Sequence, residues 1–132
     1  MVRLILAVVA GLVTWMIVVT GIDHLLRAVL PGYLAAEPTM RFTLGMMFAR
    51  LAMAAVTSIV AGYVTAVVAR DRMIAAYICG ALVLAPFVYI HVTHWSLFPI
   101  WYHLFFLITL LPLVLCGALI HQRSNQPSVR FA

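Results

Sequence analysis

The chain has 132 residues, 67% of them hydrophobic and 8% charged, with a mean hydropathy of +1.18. Soluble domains hold about 45–50% apolar and about 25% charged residues, so a water-soluble globular domain is excluded. The net charge of +5 comes from eight arginines spread over loops and ends, a distribution that does not describe a nucleic-acid-binding surface; the sequence is that of a membrane protein.

Four uncharged runs are long enough to cross a hydrocarbon core of about 30 Å, which takes about 20 helical residues. The first, Leu4 to Ile22, follows Arg3 and resembles a secretion signal at first sight. Its 19 uncharged residues exceed the apolar core of about 7–15 in such signals, and no clear Ala-x-Ala site follows, so it reads as a retained span. Beyond it, IDHLLRAVLPG continues as a helix past the membrane surface, with Asp23 and Arg27 spaced i, i+4 in the supportive order. Pro31 and Gly32 stop that helix. The remainder of this long connection is apolar enough to rest on the leaflet or pack over the bundle, but Glu37-Pro38 and Gly45 argue against one continuous helix.

The second run is Leu51 to Ala69, the third Met73 to Val92 and the fourth Phe98 to Ile120. Connections of three and about five residues make these three antiparallel neighbours. Ala54, Ser58 and Gly62 on the second run, and Ala76 with Gly80 on the third, form small-residue faces along which those two helices are expected to touch. Gly11 is a weaker notch on the first. Pro86 and Pro112 lie inside the third and fourth runs, where each removes a backbone donor. Cys79 and Cys116 belong to no Cys-x-x-Cys pair and read as small hydrophobes.

These elements predict an all-α single domain over residues 1–132, an up-and-down four-helix membrane bundle. With alternating spans, Arg3, Arg70, Arg72, Arg123 and Arg130 fall on one side and Arg27 and Arg41 on the other. The positive-inside rule puts both termini in the cytoplasm. A basic set made wholly of arginine suggests a GC-rich bacterial genome, and hence the inner membrane of a bacterium.

A ruler of 1.5 Å per residue then brings six polar residues to the outer boundary. Asp23 and His24 end the first span, Arg50 precedes the second, His91 and His94 end the third, and His103 opens the fourth after Pro99. His91 and His94, i and i+3, are about 60° apart on a helix and are expected to face one point, with His103 approaching from the next helix. His91, His94, His103, His24 and Asp23 are therefore the candidate metal ligands, of a type that suits zinc or copper. Met40, Met46, Met47 and Met53 are nearby soft donors, and His91 with His103 is a candidate haem pair. The competing reading is an interfacial belt, since Tyr89, Trp95, Trp101 and Tyr102 are residues enriched at headgroup level. Arg50 is the one charge that approaches a span interior. Its competing reading is a side chain that snorkels from the boundary.

AGYVTAVVAR, residues 61–70, and PIWYHLFFLITLLPLVLCGAL, residues 99–119, resemble a loose group of small, uncharacterised four-span bacterial inner-membrane proteins. The resemblance implies location and topology and no activity. No Ser-His-Asp arrangement, phosphate loop or HExxH motif is present. The first span holds no acid of the kind a proton-coupled small multidrug transporter needs. The expectation is a non-enzymatic membrane subunit without a cofactor that acts through helix contacts, with itself or a larger membrane complex. The alternatives are a zinc, copper or haem protein using the outer histidines, and a small-solute transporter or channel resting on Pro86, Pro112 and Arg50.

Overall fold

The computed structural model describes residues 1–127, all-helical with no strand among them. Four helices are long and apolar enough to cross a membrane. The first, α1, spans Val2–Val29, about 42 Å at 1.5 Å per residue, longer than the roughly 30 Å of a hydrocarbon core. It ends as the sequence predicts. Leu30, before Pro31, is extended at φ −90° and ψ 114°, because a following proline disfavours the helical region.

Gly32 takes a left-handed φ of 80°, a conformation open to glycine without steric cost. The chain folds back through a short helix, α2, at Tyr33–Ala36 and a 3-10 turn at Glu37–Thr39. Met40, also left-handed at φ 55°, ends that turn. Thr43 caps the next helix, its hydroxyl accepting from the Met46 N–H at 3.3 Å. That helix, α3, covers Leu44–Ala69, seven residues earlier than the uncharged run suggested, so Arg50 lies within a helix.

A turn at residues 70–72 leads to α4, Met73–Thr93, and a 3-10 turn at Trp95–Leu97 leads to α5, Ile100–Ser124. Pro99 stands just outside α5 as its N-terminal cap residue. Both internal prolines are accommodated within continuous helices.

The contacts give the direction of each helix. Trp15 meets Ser58 and Gly11 meets Thr65, so α1 and α3 are antiparallel. Phe48 meets Trp101 and Ile59 meets Gly117, so α3 and α5 run parallel. Gly80 meets Leu111 and Val114 while His91 meets His103, making α4 and α5 antiparallel. The arrangement is therefore up-and-down. Its core centres on Trp15, Ala61, Cys79, Val83, Phe106 and Leu110.

One packing expectation is corrected in part. α3 and α4 do touch, with Ala66 and Ala76 sharing a cluster with Ala118 of α5, but Ser58 meets Trp15 of α1, and Gly62 faces α5: a Cβ on Gly62 would collide with the Val114 carbonyl, and one on Gly117 with the Ile59 carbonyl. Gly80 likewise faces Leu111 of α5. Backbones approach most closely where two glycine notches face opposite helices, and α3 and α5 supply that reciprocal pair. Gly11, the weaker notch, seats Thr65 of α3 and Cys79 of α4.

Candidate functional site at the capped end

The turn from α1 to α3 folds over one end of the bundle as a cap, tied down by a chain of charges. Arg27 holds both nearby acids: Nη2 reaches Asp23 Oδ2 at 2.9 Å, and Nε reaches Glu37 Oε2 at 3.0 Å. Tyr33, with no exposed surface, donates its hydroxyl to Asp23 Oδ1 at 3.1 Å and accepts from Arg50 Nη1 at 2.8 Å. Burial foremost, and Asp23 with it, pushes the Tyr33 phenol above its ordinary range, while Arg50 pulls the other way.

Arg50 therefore does not snorkel into water. Its guanidinium carbon lies 4.5 Å from the centre of the Phe42 ring, a favourable cation–π placement, and Nε is buried without an acceptor. Asp23 and Arg50 meet through the phenol and not directly, because Asp23 is already engaged by Arg27. Among the described residues no carboxylate lies within ion-pair distance of Arg50.

Next to this cap sits a second polar centre. His91, 5% exposed, and His103, fully buried, share a bond between their Nδ1 atoms at 2.7 Å. His103 Nε2 lies 3.0 Å from the Trp95 carbonyl, which can only accept, so Nε2 carries a proton. In the neutral pair His103 Nδ1 is then the acceptor and His91 Nδ1 the donor, leaving the His91 Nε2 lone pair unused. Trp95 stacks on His103 with ring centroids 4.4 Å apart and 9° between planes. Aromatic contacts then link the two centres, from Tyr33 through Phe42, Phe98 and Tyr102 to His91. Between them Arg50, His91, Tyr102 and Met40 line a hollow of about 30 Å³, room for one water.

The five expected ligands do not meet at one point. His91 and His103 do, but His94 turns back onto Ile90 O at 2.9 Å, and His24 onto Thr20 O at 2.8 Å. Asp23 is held by Arg27 and Tyr33. Among the described residues no group of three or more His, Cys, Asp or Glu side chains is arranged to hold a metal ion. The Nδ1 separation within the histidine pair also suits a shared proton: two nitrogens on one tetrahedral zinc at about 2.0–2.1 Å each would stand about 3.3 Å apart.

The aromatic belt divides. Tyr89 is 72% exposed, and Trp95 and Trp101 are partly so, as headgroup-level residues are, whereas Tyr102 is buried against His91 and Phe98. Sequence reasoning missed Tyr33, Phe42 and Tyr102 as parts of the polar centre. The signal available for Tyr33 was its place just after the Pro31-Gly32 reversal and ten residues from Asp23.

A cavity of about 380 Å³ opens beside the cap. Trp15, Met16 and Val19 of α1, Met53 and Ala54 of α3, Phe87 of α4 and Phe106 of α5 make its walls, while Asp23, His24, Arg27 and Arg50 make its polar end. Comparison with protein-family models, with curated proteins and with solved structures finds no match to this chain.

Proposed function

We propose that this is a non-enzymatic, multi-pass protein of the bacterial cytoplasmic membrane, with both ends in the cytoplasm, that acts as a small accessory subunit through contacts within the bilayer, with itself or a larger membrane complex. The observation that carries the reading is the state of its reactive side chains. Asp23 is spent on Arg27 and Tyr33, His103 on His91 and Trp95, and His24 and His94 on carbonyls of their own helices. Apart from the His91 Nε2 lone pair and Arg50 Nε, this polar set is satisfied internally, an arrangement that locks a cap in place. Meanwhile α1 buries only Ala7, Val8, Gly11 and Trp15 and presents Ile5, Leu6, Val9, Val13 and Ile17 outward, a face fit for lipid or another helix. The arginine asymmetry and the resemblance to small four-span inner-membrane proteins support the location.

Site-specific cross-linking in native membranes tests it, with photoreactive side chains placed at Val9, Val13 and Ile17. A discrete cross-linked species of fixed stoichiometry from α1 positions is expected, and a protein that cross-links to nothing and runs as a monomer would overturn the reading. Elemental analysis addresses the metal alternative in the same preparation: stoichiometric zinc or copper lost in His91→Gln would replace the proposal with it.

A further inference from the structure

From the cavity at the cap we infer that the protein binds a single-chain anionic amphiphile, a long-chain fatty carboxylate, with its head at Arg50 and its tail in the seam between α1 and α4. The inference goes beyond the accessory role and does not depend on self-association. Its polar end has an unusual pairing pattern. Both acids of the cap, Asp23 and Glu37, are bound by Arg27. Arg50, equally charged and more enclosed, is left with the phenol oxygens of Tyr33 and Tyr102, an aromatic face and an Nε without an acceptor. A guanidinium offers five donors in a planar fork suited to a carboxylate, and a buried donor lacking an acceptor is costly. An oxygen-rich anion is what this position lacks.

The rest of the cavity specifies a hydrocarbon. Beyond the polar end, where Thr20, Asp23, His24 and Arg27 join Arg50, its walls are aromatic, aliphatic and thioether, and its volume of about 380 Å³ falls in the roughly 300–1,000 Å³ range of small-ligand sites. Trp15, Met16 and Phe87 are shared with a second hollow of about 260 Å³ that adds Leu12, Leu82 and Pro86. The two hollows thus adjoin across these side chains and line up as a path from the cap along α1 and α4 toward the middle of the bundle. A path bounded by two helices takes one chain rather than two. The cap would hold the carboxylate at the depth where a fatty acid places its head in a leaflet, so entry from the bilayer would be lateral.

Trp15 lines both hollows and reports occupancy. Full-length protein carrying Trp95→Phe and Trp101→Phe, so that Trp15 is the remaining indole, is placed in lipid nanodiscs at pH 8 and titrated with dibromostearate, whose bromines quench at contact. Saturable quenching is expected, weakened about tenfold for the methyl ester of the same acid and about tenfold in Arg50→Gln. Val19→Phe, which fills the cavity without touching the cap, should abolish the saturable phase at unchanged melting temperature. Quenching that rises linearly with the acid, equal quenching by acid and ester, or equal quenching by a brominated two-chain phospholipid would each overturn the assignment, the last by showing that ordinary bilayer lipid fills the seam.

Discussion

Tyr33 is the residue on which the cap turns. Its hydroxyl is both acceptor for Arg50 and donor to Asp23, so Tyr33→Phe leaves a guanidinium and a carboxylate each short of a partner at an unchanged ring volume. An orphaned buried polar group costs about 1–3 kcal/mol, and a melting measurement in mild detergent should show a loss in that range. Arg50→Ala should destabilise more than Arg27→Ala. Arg27 is half-exposed, with its carboxylates near the surface, where ion pairs contribute about 0–1 kcal/mol; a larger loss from Arg27→Ala would refute the ordering. Since burial raises the Tyr33 phenol above its usual value of 10.0, the folded state favours the protonated form. The stability associated with that proton is intact below pH 10 and is lost as pH climbs through the raised value. An alkaline melting series should therefore fall more steeply for the parent than for Tyr33→Phe, and parallel curves would remove Tyr33 as the cause. His94 and His24 show the limit of a positional ruler: both lie at the expected depth in sequence, but each satisfied its ring nitrogen on a carbonyl four residues earlier. Depth follows from counting residues, whereas the direction of a side chain is set by its neighbours.

At the scale of elements, the helices themselves were legible. Long uncharged runs must hydrogen-bond their backbones internally in hydrocarbon, and α4 matches its predicted run to within one residue. The start of α3 was obscured because Thr43 caps it inside an apolar stretch interrupted by Gly45. Two glycines of that helix are predicted to behave oppositely. Gly62→Ala drives a methyl into the Val114 carbonyl, and Gly45→Ala meets open space. The first should cost about 1–3 kcal/mol through overpacking, the second should be neutral or stabilise by up to about 1 kcal/mol, and both are read from melting temperature. Thr57, fully buried on α3, has a hydroxyl with no partner. Thr57→Val removes it at nearly constant volume and should raise the melting temperature. A drop would reveal a hydrogen bond formed through water in the bilayer.

For the whole molecule, the two ends of the bundle differ in kind. At one, Gln122 donates to the Asp71 carbonyl at 2.8 Å and His121 lies 3.5 Å from Asp71 Oδ1, joining the end of α5 to the arginine-bearing turn at residues 70–72. At the other lie the cap, the histidine pair and the cavity. A reporter fused at Asn125 is expected to be active only on the cytoplasmic side and one inserted at Thr93 only outside; an external Asn125 would invert the proposed orientation and place the amphiphile site in the inner leaflet.

That the chain is helical and suited to a bilayer was already written in its residues, because about twenty uncharged residues in a row satisfy their backbone in hydrocarbon by forming a helix. The sequence also placed the ionisable residues at one depth, since a helix rises by a constant step. Tertiary structure alone decided which of them meet. Arg27 collected both acids, Tyr33 came between Asp23 and Arg50, and His91 found His103, because these pairings depend on the path of a fourteen-residue connection and on helix rotation. Neither leaves a periodic signal in the chain, and the small-residue notches that set the rotation are equally compatible with several partner helices until all four pack at once.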